Sequence, residues 1–156
     1  MISAGVSKLG KTPIYFVKPH VKINAKYYCE QILSKMLPAM SRLSGGDYVL
    51  QQDGARAHTA RETLKYLDEH CPEYVKPDHW APNSCNQNPL DCAVWGELQA
   101  KVWGKYQIDS LDYLKSAIVQ GWRVYPQETI DKAINQFIKR IKNTVAAVGG
   151  YIEHYM

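Results

Sequence analysis

Apolar residues recur along this chain with two different periods, and the switch between them lays out the expected elements. Residues 2–6 and 13–18 read as extended segments joined by a turn containing Gly10. Asn24 is a good helix cap, and Tyr28, Ile32 and Met36 then recur every four residues, which predicts a helix over about 24–38. Tyr48, Val49 and Leu50 open a strand at 47–53. Thr59 with Glu62 three residues on forms a capping box and predicts a helix at 60–70, with a short strand at 73–77 after it. Pro82 and Pro89 bracket a polar stretch without hydrophobic period, which reads as a loop. Leu90, Val94, Leu98 and Val102 predict a helix from about 90 to 105. Ser110 or Asp109 caps the next helix, with Leu111, Leu114, Ile118 and Trp122 inward. The last helix, 127–147, carries Ile130, Ile134, Phe137, Ile138, Ile141 and Val145 on one stripe and ends at Gly149–Gly150. Trp95, Trp103 and Trp122 are expected in the core rather than on a base-stacking platform.

Interleaved strands and helices make this an α/β chain. With 156 residues, 46% of them hydrophobic, one globular domain over 1–156 is expected, with enough chain to bury a core. No run approaches the roughly 20 apolar residues of a membrane span, and no signal peptide is visible at the start. Cys29, Cys71, Cys85 and Cys92 form no CxxC pair and no paired framework, which points to reduced intracellular thiols. A zinc site from Cys71, Cys85 and His79 matches no finger spacing. The net charge of +4 is mild but uneven. Lys8, Lys11, Lys18, Lys22, Lys26, Lys35 and Arg42 face Glu30 alone within residues 1–46, and the last helix adds Lys132, Lys139, Arg140 and Lys142. Clustered cations contact phosphates with salt-sensitive, sequence-independent affinity. A solvated lysine-rich surface is the plainer alternative.

Two acids stand where chemistry is usually held. Asp53 ends the strand 47–53 just before a helix entrance, the edge at which open α/β sheets carry their sites. Asp91 lies in the first turn of its helix, where the dipole favours a carboxylate by up to about 1 kcal/mol. Either acid alone reads as a local cap.

Together, their contexts resemble the catalytic domain of mariner-type transposases, which use three acids on a ribonuclease H-like fold. The second acid of that family follows Gln and precedes Asn or Gly, Ala and, five residues on, His. This chain has Gln52, Asp53, Gly54, Ala55 and His58. The third acid follows Asn-Pro-aliphatic, with an aromatic residue one helical turn later, as in Asn88, Pro89, Leu90, Asp91 and Trp95. Residues 10–33 look like the family's hairpin strand and first helix, so the resemblance spans nearly the whole chain.

The resemblance implies a mixed sheet flanked by helices, with Asp53 and Asp91 as catalytic and metal-holding acids. It also implies magnesium or manganese in intact relatives, DNA as partner, cleavage and integration of transposon ends, and a nuclear location. Arg56, His58, Lys132, Lys139 and Lys142 are candidate contacts to nucleic acid. Ser84, Cys85, Asn86 and Gln87 depart from the usual Ser-Pro-Asp, and Arg56 stands where Pro is usual. The family's first acid lies on a central strand upstream of the one resembling MISAGVS, and Glu30 is out of place for it. The expectation is therefore a partial catalytic domain, without its central strand or the N-terminal helix-turn-helix region. Such a chain would be inactive as given, would hold metal weakly, would bind DNA without sequence preference, and would tend to self-associate. The competing reading is a non-catalytic basic nucleic-acid-binding or interaction module derived from a transposase, and a third is that the natural gene product is longer.

Overall fold

The computed structural model describes residues 1–80, 88–105 and 107–146. The architecture is mixed α/β, and the chain divides into two compact units, Met1–Ser84 and Cys85–Met156.

The first unit opens with the expected hairpin in two short ladders. β1 (Ile2–Ser3) pairs antiparallel with β4 (Tyr15–Phe16), and β2 (Val6–Ser7) with β3 (Gly10–Lys11). The ladder breaks between them because Pro13 has no N–H to give. Buried Thr12 bridges the gap: its hydroxyl accepts from Gly5 N at 2.8 Å, and its own N–H reaches Gly5 O at 2.9 Å. Gly10, at φ 145°, turns the hairpin.

Asn24 then caps a long helical run, its Oδ1 accepting from Tyr27 N at 2.9 Å. This run, α1, begins as Ala25–Tyr27, widens to π winding over Tyr28–Leu33 and continues as an α-helix over Ser34–Ser44. A residue spacing of four drifts by about 40° per step on an α-helix. Wider winding reduces that drift, so Tyr28, Cys29, Ile32, Leu33, Met36 and Leu37 are all buried on one side. The run outlasts the expected end near 38 because Pro38 sits on its exposed side while Met36, Leu37 and Ala39 stay inside. It stops at Gly45, which takes the left-handed conformation at φ 71°.

β5 (Val49–Leu50) pairs in parallel with β6 (Glu73–Tyr74), both shorter than their sequence patterns. Among the described residues, β1 has only β4 as ladder neighbour and β5 only β6. The capping box at Thr59 does not form. Residues Arg56–Thr59 coil into their own turn, α2, where Thr59 N–H bonds Ala55 O, and the next helix, α3 (Arg61–His70), enters through extended Ala60. The core of this unit gathers the inner face of α1, Leu50 and Leu67, with Tyr48, Ala57 and Tyr66 packed against it.

The second unit is helical. Asn88 starts α4, its Oδ1 accepting from Leu90 N at 3.1 Å. The helix winds as π over Leu90–Val94 and as α over Trp95–Lys105. Ser110, not Asp109, caps α5 (Leu111–Arg123), accepting from Tyr113 N. Helix α6 spans Gln127–Ala146. The core comprises Val94, Leu98, Val102, Ala117, Trp122, Tyr125, Ile130 and Ala133, with Trp95 stacked on Trp122 at 5.8 Å. Gly121 lets α5 approach α4, since a Cβ there would stand 3.2 Å from Leu98 Cδ1.

Four residues expected in this core are exposed instead. Trp103 and Leu111 are each 56% exposed, Val145 is 73% exposed and Ile138 40%. Trp103 sits one residue round the helix from buried Val102. Leu111 precedes the first complete turn of its helix, and Ile138 and Val145 lie beyond the packed start of α6, where Ile130 and Ala133 are buried. The expected loop around Pro82–Gln87 and the stop at Gly149–Gly150 fall outside the described residues. No helix among the described residues is long and apolar enough to cross a membrane.

Candidate functional site

Asp53 lies three residues beyond the β5 ladder and three before α2, on chain that belongs to neither. The segment is fixed instead by side chains. Asp53 Oδ1 accepts from Ala55 N at 3.0 Å, closing an Asx turn of the kind that delivers a strand into a helix. The same oxygen lies 2.6 Å from His58 Nδ1, which α2 presents from one helical turn on. Oδ2 meets no donor among the described residues, and the side chain is 41% exposed. The acid is thus anchored through one oxygen and open through the other.

Behind it stands Tyr28 of α1. Its ring lies 4.3 Å from the His58 ring, tilted by 36°, and its hydroxyl donates to Gln52 Oε1 at 2.9 Å. Gln52 Nε2 in turn donates to the His58 carbonyl at 3.3 Å. Burial holds the Tyr28 phenol well above the usual tyrosine range, and the nearby Asp53 carboxylate acts in the same direction. Tyr28 therefore remains a hydroxyl donor. Arg56, the first residue of α2, is exposed on the same short turn.

In the second unit, Asp91 is exposed in the first turn of α4, where its Oδ2 accepts from Asn88 Nδ2 at 2.8 Å. Asn88 thus holds the helix start with its carbonyl oxygen and the acid with its amide. Lys132, Lys139 and Lys142 lie exposed along α6, and Lys132 also pairs with Glu128 at 2.7 Å. Two-thirds or more exposed on both sides, that ion pair is screened and leaves the lysine accessible to another anion.

Hard divalent cations take carboxylate oxygens together with water and substrate oxygens. Asp53 and Asp91 each present a carboxylate at the surface of their own unit, the donor type such ions take. Among the described residues no three His, Cys, Asp or Glu side chains cluster as a complete metal cage. Cys29, Cys71 and Cys92 are free thiols, and burial pushes the Cys71 thiol up, away from the thiolate a zinc ligand needs. Cys85 lies outside the described residues.

Sequence reading missed Tyr28 and Asn88 as partners of the acids. Tyr28 looked like one more member of an apolar stripe, although a buried tyrosine hydroxyl requires a partner and so gives a signal. For Asn88 the signal was its place three residues before an acid at a helix start.

No protein-family model matches the sequence, and no curated protein matches it. Solved structures do match. The catalytic domain of Mos1 mariner transposase superposes with TM-score 0.79 at 19% identity, covering 97% of this chain and 75% of that one. The Mos1 transposase catalytic domain with raltegravir and Mg gives 0.81 at 20% identity, over 97% of this chain and 76% of that one. The Mos1 strand transfer complex gives 0.81 at 21% identity, over 97% of this chain but 43% of that one. The likeness shows the fold: this chain has the architecture of a mariner transposase catalytic domain.

Proposed function

We propose that this chain is the C-terminal part of a mariner-type transposase catalytic domain, with a ribonuclease H-like sheet and with Asp53 and Asp91 as the second and third of three metal-holding acids. The observation that carries the reading is the coincidence of motif and fold. Gln52-Asp53-Gly54-Ala55 leaves β5 for α2, and Asn88-Pro89-Leu90-Asp91 opens α4, in a chain whose fold matches the Mos1 domain over 97% of its length.

In this reading Asp53 offers Oδ2 to a divalent cation while Ala55 N–H and His58 hold Oδ1, and Asn88 orients the Asp91 carboxylate. A bound metal pair supplies activation of an attacking oxygen and neutralisation of a leaving one at a phosphodiester. Mos1 structures carry Mg or Mn, which is the ion class proposed here, held weakly by two acids alone. The ancestral reaction is DNA cleavage and strand transfer at transposon ends, in the nucleus.

DNA is the proposed partner, met through phosphate. The 156-residue chain should bind duplex without sequence preference, its affinity falling steeply as salt rises. Replacing Lys132, Lys139 and Lys142 by Glu should weaken binding for all sequences alike and reduce the salt slope by up to about three units. Fluorescence anisotropy across a salt series reads both effects. Selectivity for one sequence, or indifference to salt, counts against the proposal.

A second consequence concerns the sheet. In the family's fold a strand bearing the first acid lies between the strands resembling residues 2–6 and 47–53. In these residues β1 and β5 each have one ladder neighbour, and unpaired strand edges recruit other chains. The 156-residue chain on its own should therefore self-associate in sedimentation velocity. A monodisperse monomer of high thermal stability would show that the sheet closes without the extra strand.

A further inference from the structure

We propose that Tyr28 and His58 form a brace that positions the Asp53 carboxylate, fixing Oδ1 so that Oδ2 is offered to a divalent cation. This rests on the reading of Asp53 as a metal-holding acid and assigns that site a part drawn from α1, a helix outside the acid motifs.

The need for a brace follows from the backbone. β5 ends at Leu50 and α2 begins at Arg56, so no regular ladder holds Asp53 directly. A carboxylate only accepts hydrogen bonds, and His58 Nδ1 lies 2.6 Å from Oδ1. The contact lacks the alignment of a hydrogen bond, so the brace works through close electrostatic contact, with the ring proton placed on Nδ1 toward that oxygen. That contact needs a fixed imidazole plane, and the Tyr28 ring sets it from 4.3 Å away.

Tyr28 is immobile for its own reasons. It is 5% exposed in the core of the first unit, beside Cys29, Ile32 and Leu33 on the widened turn of α1. Its hydroxyl closes the circuit through Gln52, whose amide holds the His58 carbonyl. Tyr28 thus controls both the ring and the backbone of His58. Outer partners that orient metal ligands commonly carry a 10–100-fold effect on metal affinity when removed.

Two measurements on the 156-residue chain test the brace. The first is side-chain nitrogen NMR of His58 without metal. A proton on Nδ1 in the wild type, lost from that nitrogen in Asp53→Ala, is expected, and a wild-type proton resident on Nε2 would overturn the proposal. The second is a titration with manganese chloride followed by water-proton relaxation, alongside thermal unfolding. His58→Ala should weaken manganese binding about 10–100-fold. His58→Asn, whose amide N–H can stand where Nδ1 stands, should recover most of it at an unchanged melting temperature. Tyr28→Phe keeps the ring but frees Gln52, so it should fall between wild type and His58→Ala. Manganese binding by His58→Ala equal to wild type, or no recovery in His58→Asn, sinks the brace. Wild-type binding retained in Asp53→Ala would instead remove Asp53 as a ligand, while the tautomer result would stand independently.

Discussion

In magnesium or manganese, the 156-residue chain should leave supercoiled plasmid uncut, indistinguishable from its Asp53→Ala and Asp91→Ala variants. Two divalent ions about 3.5–4 Å apart clamp the attacking and leaving oxygens in this chemistry, and several carboxylate oxygens are needed to hold them. Asp53 and Asp91 supply two of the three acids in the proposed site. Within residues 1–46 the one further acid is Glu30, which is exposed on α1 and 4.0 Å from Lys26. Bringing it to the site would pull α1 from its packing, where Cys29, Ile32 and Leu33 lie on either side of it. Exposing each large aliphatic side chain costs about 1.5–3 kcal/mol, so two would offset much of a domain's net stability of about 5–15 kcal/mol. Metal-dependent nicking that both substitutions abolish would overturn the inactivity while supporting the acids.

The second large effect is on stability. Leu67→Ala should destabilise the fold by about 2–5 kcal/mol, the range for emptying a fully buried leucine site. Leu67 has no exposed surface and ties α3 to Leu50 and the inner face of α1. Its neighbours include the elements that aim Tyr28 and His58, so the hole cannot be filled by collapse without moving them. The melting temperature should fall by roughly 4–20 °C, read by circular dichroism. A shift under one degree would mean that Leu67 is not the keystone its burial indicates.

Helices were legible in the pattern because a helix buries a stripe that its own sequence encodes. Val94, Leu98 and Val102 are all nearly fully buried, and Asn24 and Ser110 cap as their side chains suggest. Strand lengths were not legible. A ladder needs a partner's donors, and Pro13 withdraws one from the hairpin while β5 finds only two paired positions on β6. The capping box at Thr59 failed because its hydroxyl turns back to donate to Ala55 O at 3.4 Å, leaving Ala60 at the start of the next helix. Trp103 shows the limit of treating hydrophobicity as burial, since its neighbour Val102 took the inward position. Of the site, both acids could be found from local motifs, as could His58. Tyr28 could not, because its partner Gln52 is 24 residues away and the contact exists only after α1 packs on β5.

The wide turn at Tyr28–Leu33 behaves as an insertion stored inside a helix. Deleting one residue there would let α1 relax into uninterrupted α winding with no lost backbone bonds. Because the wide turn already holds one residue more than α winding needs, the flanking faces would keep nearly their orientation. A one-residue deletion in the α-wound part, Ser34–Ser44, has no such reserve and would rotate everything before it by about 100° about the helix axis, swinging Tyr28 off His58. Length is therefore tolerated within the wide turn and constrained just beyond it.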